Sequence, residues 1–542
     1  MSFLNNYTAK LNLLLDLNPS WAYGAINAEQ AMLAKLLGAQ LQGEKGLLYM
    51  QTALDLAALA WQQRPLDFEL VALLQMLLEA GARFDSPASP DAPEAHDAPA
   101  SDSASAPSFA ATIQGLDAAF KLAQIKGNPG KLNLAHNQEA LQNLLRTLPD
   151  FAGKEFVAAR YQAEYLLQSS PPDALNLIDT LPDQLFWGWK CLALLEADQT
   201  SLDLGLLKKL WQKYFWHTNL TLALHDLLYP SSALSGQAIS ADGSSAASLP
   251  PILLYSWNKR DVLYDTLVSL RASGTGAAPV FVLDNGSSDG SAAMLAAQKD
   301  LWGTPFTIIN LPSNVGAPAA RNWLLSLPQV KQATSTIFLD DDVILTPDWL
   351  NSLLNTAAAN PGFGAIGCRV TDHIPPYGIQ AADFYLLAAA EATHSFTDLE
   401  EEIFPFCPAT GQTSNFLFSY TRPCASVTGC CHLLNMQAIA EAGAFDVRFN
   451  PSQFDDLERD LRSTLAGWPT IYHGQTVIRH VQHSSLRQAL SLPQQAHIMG
   501  NKIKLEFLLD KTKAAKLRDQ TLQRVKDDLL RKCAKVQAAL EL

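Results

Sequence analysis

Residues Ile337 to Ile344 read Ile-Phe-Leu-Asp-Asp-Asp-Val-Ile, so three consecutive carboxylates, Asp340, Asp341 and Asp342, close an apolar run. Crowding like charges in a partly dry site costs roughly several kcal/mol per unpaired ion, so the cluster has to be solvated, protonated or coordinated. Coordinated, it would face a metal-bound phosphate. Solvated, it would be a strand-to-loop turn, which acidic residues favour through local hydrogen bonds. Alternation at a strand end would put Asp340 and Asp342 on one side and Asp341 on the other.

The elements that must position these groups sit in a chain of 542 residues, long enough for roughly three or four domains. Its 53 acidic and 39 basic residues leave a net charge of -14, which repels nucleic-acid phosphates, and no nucleic-acid-binding motif is present. The start lacks a basic segment followed by an apolar core, and no apolar stretch approaches the ~20 residues needed to span a bilayer, so a cytoplasmic protein is expected. The seven cysteines lack zinc-knuckle spacing and read as reduced, buried thiols; a chelating pair is not expected at adjacent Cys430 and Cys431.

Residues 1–85 carry Leu, Ala and aromatic residues at helical spacing, and a Ser/Pro/Ala/Asp stretch over 86–108 is too poor in apolar bulk to pack, so it reads as a disordered linker. Helical periodicity returns over 109–230, compatible with either tetratricopeptide-like repeats or a plain bundle. A second linker, 231–249, follows. From residue 250 short apolar strands alternate with helical stretches: strands at Ile252–Tyr255, Val280–Leu283, Phe306–Ile309 and Thr336–Leu339, and helices near Val262–Leu270, Ser291–Gln298 and Pro318–Leu327. That alternation predicts a parallel sheet covered on both faces, with ligands at the carboxyl ends of its strands. Both Asp284 and the acidic triplet fall there.

Four segments line up in order: Leu254-Tyr255-Ser256-Trp257-Asn258-Lys259-Arg260 after the first strand, Asp284-Asn285-Gly286-Ser287-Ser288-Asp289-Gly290 after the second, Asn314-Val315-Gly316-Ala317-Pro318-Ala319-Ala320-Arg321-Asn322 opening a helix, and Leu339-Asp340-Asp341-Asp342. Downstream come Val427-Thr428-Gly429-Cys430-Cys431-His432, Ala442-Gly443-Ala444-Phe445-Asp446, Asp455-Asp456-Leu457-Glu458-Arg459-Asp460-Leu461-Arg462, Gly467-Trp468-Pro469 and Val477-Ile478-Arg479-His480. The ordered set resembles the family 2 glycosyltransferases of the GT-A fold, over roughly residues 250 to 500. The helix at Asp455 departs from the family's Glu-Asp-x-Asp-x-x-x-Arg pattern by exchanging acidic types at Asp455 and Glu458.

The resemblance implies an α/β GT-A (nucleotide-diphospho-sugar transferase) domain over 250–485, preceded by the all-α region and followed by a helical extension over 486–542. It implies an inverting transferase that moves a sugar from a nucleotide sugar, with a UDP-sugar as donor class, to a hydroxyl on a protein or cell-surface glycan. Mn²⁺ or Mg²⁺ would be held by Asp342 and His480, with His483 as competitor for the histidine. Ser256, Asn258, Asp284, Asn314, Arg321, Asp340 and Asp341 would line the nucleotide sugar, Asp341 being the least defined of the triplet. Asp284 would accept the uracil imide hydrogen; its rival account is a helix cap or turn residue. Asp456 would be the catalytic base, while Asp455, one residue away on a helix, would point elsewhere. The alternative is a degenerate nucleotide-sugar-binding scaffold acting through its helical half.

The tail from Leu486 sets lysines and arginines among leucines at helical intervals. Either it makes peripheral contact with the inner face of an anionic membrane, or its leucines pack on the protein. The stretch Thr371 to Pro423 is too irregular to read, and Glu400-Glu401-Glu402 within it would be a lid or a solvated run.

Overall fold

The computed structural model describes residues 6–24, 43–84, 107–123, 137–197, 203–230, 249–275, 277–302, 305–375, 377–388, 401–481 and 492–541. Most of both expected linkers and His483 lie outside the described residues. The chain divides into two compact units, Met1–Thr221 with Gln537–Leu542, and Leu222–Val536.

The first unit is helical. Helix Gly43–Gln63 packs on Phe68–Phe84, and Lys154–Ser169 on Pro171–Thr180. Gly43–Gln63 also packs on the much later Asp183–Ala197. Trp61 is buried with its ring 5.3 Å from Phe109 and stacked 5.4 Å from Phe186, and Gln62 Oε1 accepts from the Trp189 amide at 2.9 Å. Helix Gly43–Gln63 thus closes back on a helix much later in the chain.

In the second unit, β1 (Ile252–Ser256), β2 (Val280–Asp284), β3 (Phe306–Asn310) and β4 (Ser335–Leu339) form a parallel set, with β1 between β2 and β4. β1, β2 and β4 are apolar and buried along most of their length because both faces are covered, whereas the edge strand β3 is buried only at Phe306. Ile252, Leu254, Val280, Val282, Ile337 and Leu339 pack with Leu263 and Leu267 of helix α1 (Arg260–Ala272) and Trp349 and Leu350 of α2 (Trp349–Ala359). The alternate residues Leu253, Phe281, Leu283 and Phe338 pack against Leu324 and Leu325. Those leucines belong to the intervening helix Ala317–Ser326.

The sheet is mixed rather than purely parallel. β11 (Cys431–Asn435) runs antiparallel between β4 and β6 (Ala365–Asp372), and β12 (Thr470–His480) runs parallel to β6, extending the sheet to the order β10-β12-β6-β11-β4-β1-β2-β3. β5 (Val343–Leu345) pairs with β12, and β7 (Ile379–Ala381) with β6. The segment that could not be read from sequence holds β7, the antiparallel pair β8 (Tyr385–Leu387) and β9 (Phe404–Phe406), and β10 (Thr421–Cys424), each too short to express a period. The α/β GT-A architecture with an all-helical region before it is therefore present.

The tail forms helices Leu492–Leu508 and Lys511–Ala539. Leu505, Leu509, Ala514 and Leu517 are buried with Phe449, Leu457 and Leu461, so this face packs on the protein. Not every lysine is in water, however. Lys502 is wholly buried, 2.8 Å from Glu401 and hydrogen-bonded to Glu506, while the amides of Glu402 and Ile403 donate to Glu506. Glu401 and Glu402 thus anchor the tail, as neither lid nor solvated run, while Glu400 lies outside the described residues; Glu402 accepts from Arg518. No helix among the described residues is long and apolar enough to cross a membrane.

Removing one member of a buried ion pair leaves an uncompensated charge, at a cost of about 3–5 kcal/mol. Lys502→Met should therefore lower the denaturant midpoint of the second unit markedly, and Lys502→Met with Glu401→Gln and Glu506→Gln should recover much of the loss.

Candidate active site

The chain steps outward from β1 through β2 to β3, then places β4 on the other side of β1. At such a reversal the loops leaving adjacent strands run apart, and a cleft opens above their carboxyl ends. Ser256 ends β1 opposite Asp284 of β2, and Leu254 is in register with Leu339, the residue before the triplet.

The chain turns immediately after Leu339, so strand alternation does not extend through the acids. Lys259 Nζ donates to Asp341 Oδ1 at 2.8 Å and to Asp342 Oδ2 at 3.2 Å, bridging two carboxylates expected on opposite sides. Asp340 lies apart, 3.7 Å from Arg321 Nη2. His480, the last residue of β12, reaches Asp342 Oδ1 through Nε2 at 2.9 Å. Its Nδ1 is 2.7 Å from Gln380 Oε1, and the Gln380 amide nitrogen donates to Asp372 Oδ1 and to the His480 carbonyl, which turns the amide oxygen toward the ring. Nδ1 therefore carries a hydrogen, and Nε2 is the nitrogen presented to the acids.

Asp340, Cys430 and His480 offer a carboxylate oxygen, a thiol sulfur and a ring nitrogen within 4.8 Å of one another, and Asp342 stands against the same imidazole. This convergence of oxygen and nitrogen donors fits a divalent cation.

On the side where the sequence predicts the nucleotide, the residues are fixed mainly by one another. Asp284 is buried and its Oδ1 accepts from the Ser287 amide at 3.0 Å, the turn role weighed above. Asn258 adopts a left-handed backbone (φ 52°), and its Oδ1 accepts from the Ser288 amide at 2.8 Å, tying the loops after β1 and β2. Asn314 Oδ1 accepts from Asn285 Nδ2 at 2.9 Å and Gly316 N at 2.8 Å, so its side chain holds the loop after β3. Ser256 is buried. Arg260 makes an exposed ion pair with Asp261.

Helix Asp455–Leu465 aims its first residues at the same strand ends. Arg321 is buried between the rings of Tyr255 and Phe445, and Asp455 accepts from its Nη1. Asp456 is half-buried, with Oδ2 accepting from the Gly429 amide at 2.9 Å and Oδ1 from the Leu457 amide at 2.8 Å. A Cβ on Gly429 would lie 2.7 Å from Arg321 Nη2, so the absence of a side chain lets this backbone approach both groups. At the far end of the first turns, Glu458 pairs with Arg462, which also donates to the carbonyls of Ala442 and Ala444.

Sequence reasoning assigned no role to Lys259, Cys430 or Gln380. Lys259 stood in a motif segment beside the acids but carries no pattern of its own. Cys430 reads from the sequence only as half of an adjacent pair, whereas its sulfur stands near Asp340 and His480 without Cys431, and Gln380 lies in the irregular stretch.

Burial resists ionisation of Asp342, yet the hydrogen bond from His480 and the charges of His480 and Lys259 outweigh it and hold the carboxyl down at about 2. Burial pushes Asp341 up to about 6, with the neighbouring Asp342 charge adding to the rise against Lys259. For His480, burial favours the neutral ring, but Asp342 wins and raises its value. Burial raises Asp455 despite Arg321.

Residues 252–438 match the model of glycosyl transferase family 2. The matched range includes Ser256 through Cys430 and ends before Asp456 and His480. Among solved structures similar to the chain are GalNAc-T7 with UDP, GalNAc and Mn²⁺ (12% identity, 48% of this chain and 48% of that one, TM-score 0.37). Others are the mannosyltransferase PcManGT from Pyrobaculum calidifontis with GDP-Man and Mn²⁺ (13%, 62% and 86%, 0.33) and S. aureus TarS (12%, 51% and 43%, 0.30). The chain thus spans about half the length of GalNAc-T7. No curated protein matches it.

In metal-free protein the His480–Asp342 pair stabilises the fold only while both are charged. Asp342, lowered from 3.8, loses its contribution as pH falls toward about 2, and His480, raised from 6.5, loses its contribution as pH rises through its elevated value. An NMR titration of His480 should therefore show a value above 6.5, and Asp342→Asn should bring it down. An unshifted titration in the variant would separate the two groups.

Proposed function

We propose that the second unit is an inverting, metal-dependent glycosyltransferase that takes a nucleotide sugar, with UDP-sugars as the donor class, and transfers the sugar to a hydroxyl of a protein or glycan acceptor. The observation that carries this reading is the meeting, at the switch between β1 and β4 of a family 2 domain, of Asp340, Asp342 and His480 with Arg321 and Asp456.

Asp342 and His480 would hold the divalent ion, which when bound neutralises charge on the departing diphosphate. Arg321, clamped by Asp455, adds a fixed positive charge at the same strand ends. Asp284 keeps one carboxylate oxygen in the turn, and its other oxygen can accept the imide hydrogen that distinguishes uracil from cytosine. Ser256, Asn258 and Asn314 shape the loops around that base rather than reading it by charge. Asp341 is the partner of Lys259, a lysine positioned to answer the acids before a donor arrives.

Asp456 serves as base. Two backbone amides orient its carboxylate, and half-exposure leaves it reachable by an acceptor hydroxyl. Its carboxylate takes the hydroxyl proton as that oxygen bonds the anomeric carbon and the nucleoside diphosphate leaves from the opposite face, which inverts the centre. The fusion to a helical unit favours a protein or large glycan acceptor by association.

A panel of nucleotide sugars, with and without Mn²⁺, should show a metal-dependent thermal shift and nucleoside diphosphate release for one donor class. Asp456→Asn should cut transfer by about 10²–10⁴-fold with nucleotide affinity nearly intact. Loss of nucleotide binding in that variant would overturn the role, and a thermal shift without turnover in the unmodified protein would favour a binding scaffold.

A further inference from the structure

We propose that Cys430 is a protein donor at the cation site, beside Asp340 and His480, giving a mixed oxygen, nitrogen and sulfur set that takes thiophilic divalent ions such as zinc, cobalt or cadmium in competition with manganese or magnesium. The inference rests on the metal reading of His480 and the acidic triplet given above.

Four observations converge on it. The donor atoms of Asp340, Cys430 and His480 all lie within 4.8 Å of one another, so one ion can face all three. The backbone sets the cysteine there: the Asp340 amide donates to the Cys430 carbonyl at 3.1 Å, and β11 runs in register with β4 so that Cys431 opposes Leu339. The sulfur is buried and outside any disulfide, 3.4 Å from Thr428 Oγ1. On the other side of the site, Gln380 fixes the imidazole with Nε2 turned inward, the orientation a ligating histidine requires.

The consequence follows from ligand softness. Magnesium and manganese prefer the carboxylates and gain little from sulfur, so they leave the thiol protonated. A thiophilic ion forms a bond from the sulfur lone pair and releases the thiol proton to water, with no change of oxidation state. Zinc therefore binds more tightly than the ion proposed to support transfer. Lys259, occupied with Asp341 and Asp342, leaves the Asp340, Cys430 and His480 face to the cation.

Cobalt titrated into the full chain, stripped of metal, should produce a thiolate-to-cobalt charge-transfer band in the near ultraviolet, saturating at one ion per chain. Cys430→Ser should abolish the band and weaken zinc binding by about ten-fold or more. No band in the unmodified chain, or an unchanged band in Cys430→Ser, overturns the proposal, because the remaining cysteines stay in that variant. Should the variant misfold, cadmium NMR of the unmodified chain decides: a sulfur-ligated shift supports it, and a shift of purely oxygen and nitrogen ligation overturns it. A band from Cys430 in a protein that processes no nucleotide sugar would uphold this site and sink the transferase reading, while manganese-dependent transfer with no band would do the reverse.

Discussion

Five carboxylates, Asp340, Asp341, Asp342, Asp455 and Asp456, stand around one end of the sheet, and no fold can hold them there without arranging their counter-charges first. Lys259 meets two, Arg321 meets Asp455 and faces Asp340, and His480 meets Asp342. Burial would otherwise drive such acids neutral, and the opposed directions at neighbouring residues, Asp341 pushed up and Asp342 held down, show how finely partner placement decides the outcome. The same balance makes the site receptive to a cation, since any ion that enters replaces contacts the protein already makes rather than creating order from nothing.

The counter-charges come from segments far apart in the chain, and the sheet is what gathers them. Lys259 follows β1, the triplet follows β4, and His480 ends β12, which lies beyond β6 and β11 in strand order. β5 returns from the triplet to pair with β12, with Val343 opposite His480, so the strand that carries the acids onward is stitched directly to the one that ends in imidazole. Gly429 plays a comparable part for the helix that supplies Asp455 and Asp456, by leaving room where its backbone meets Arg321 and Asp456.

The half of the site on β1, β2 and β4 was readable because parallel strands buried on both faces leave continuous apolar runs, each ending abruptly in polar residues. The observed strands differ from the expected ones by one residue at an end, as Ile252–Ser256 and Ser335–Leu339 illustrate. Beyond residue 365 legibility fell. β7, β8 and β9 have three residues each, and the polar clasp of Gln380 on His480 depends on strand pairing that local sequence does not encode. Alternation misled at the triplet because it presumes extended backbone, and the chain turns there. Lys502 and Lys532 were legible only as positive charge; that both are buried, one against Glu401 and the other against Asp226 and Asp528, is a property of tertiary partners.

The C-terminal helices also alter where the sheet-bearing unit should be considered to stop. Their leucines share a core with Leu457 and Leu461, on the very helix whose first turn bears Asp455 and Asp456. Asn501 further donates to the carbonyls of Phe449, Ser452 and Gln453, gripping the loop just before that turn. An excised fragment ending at β12 would thus keep every residue of the candidate cation site yet lose the buttress behind its opposite wall, so minimal versions of this domain have to be drawn around shared packing instead of around motif positions.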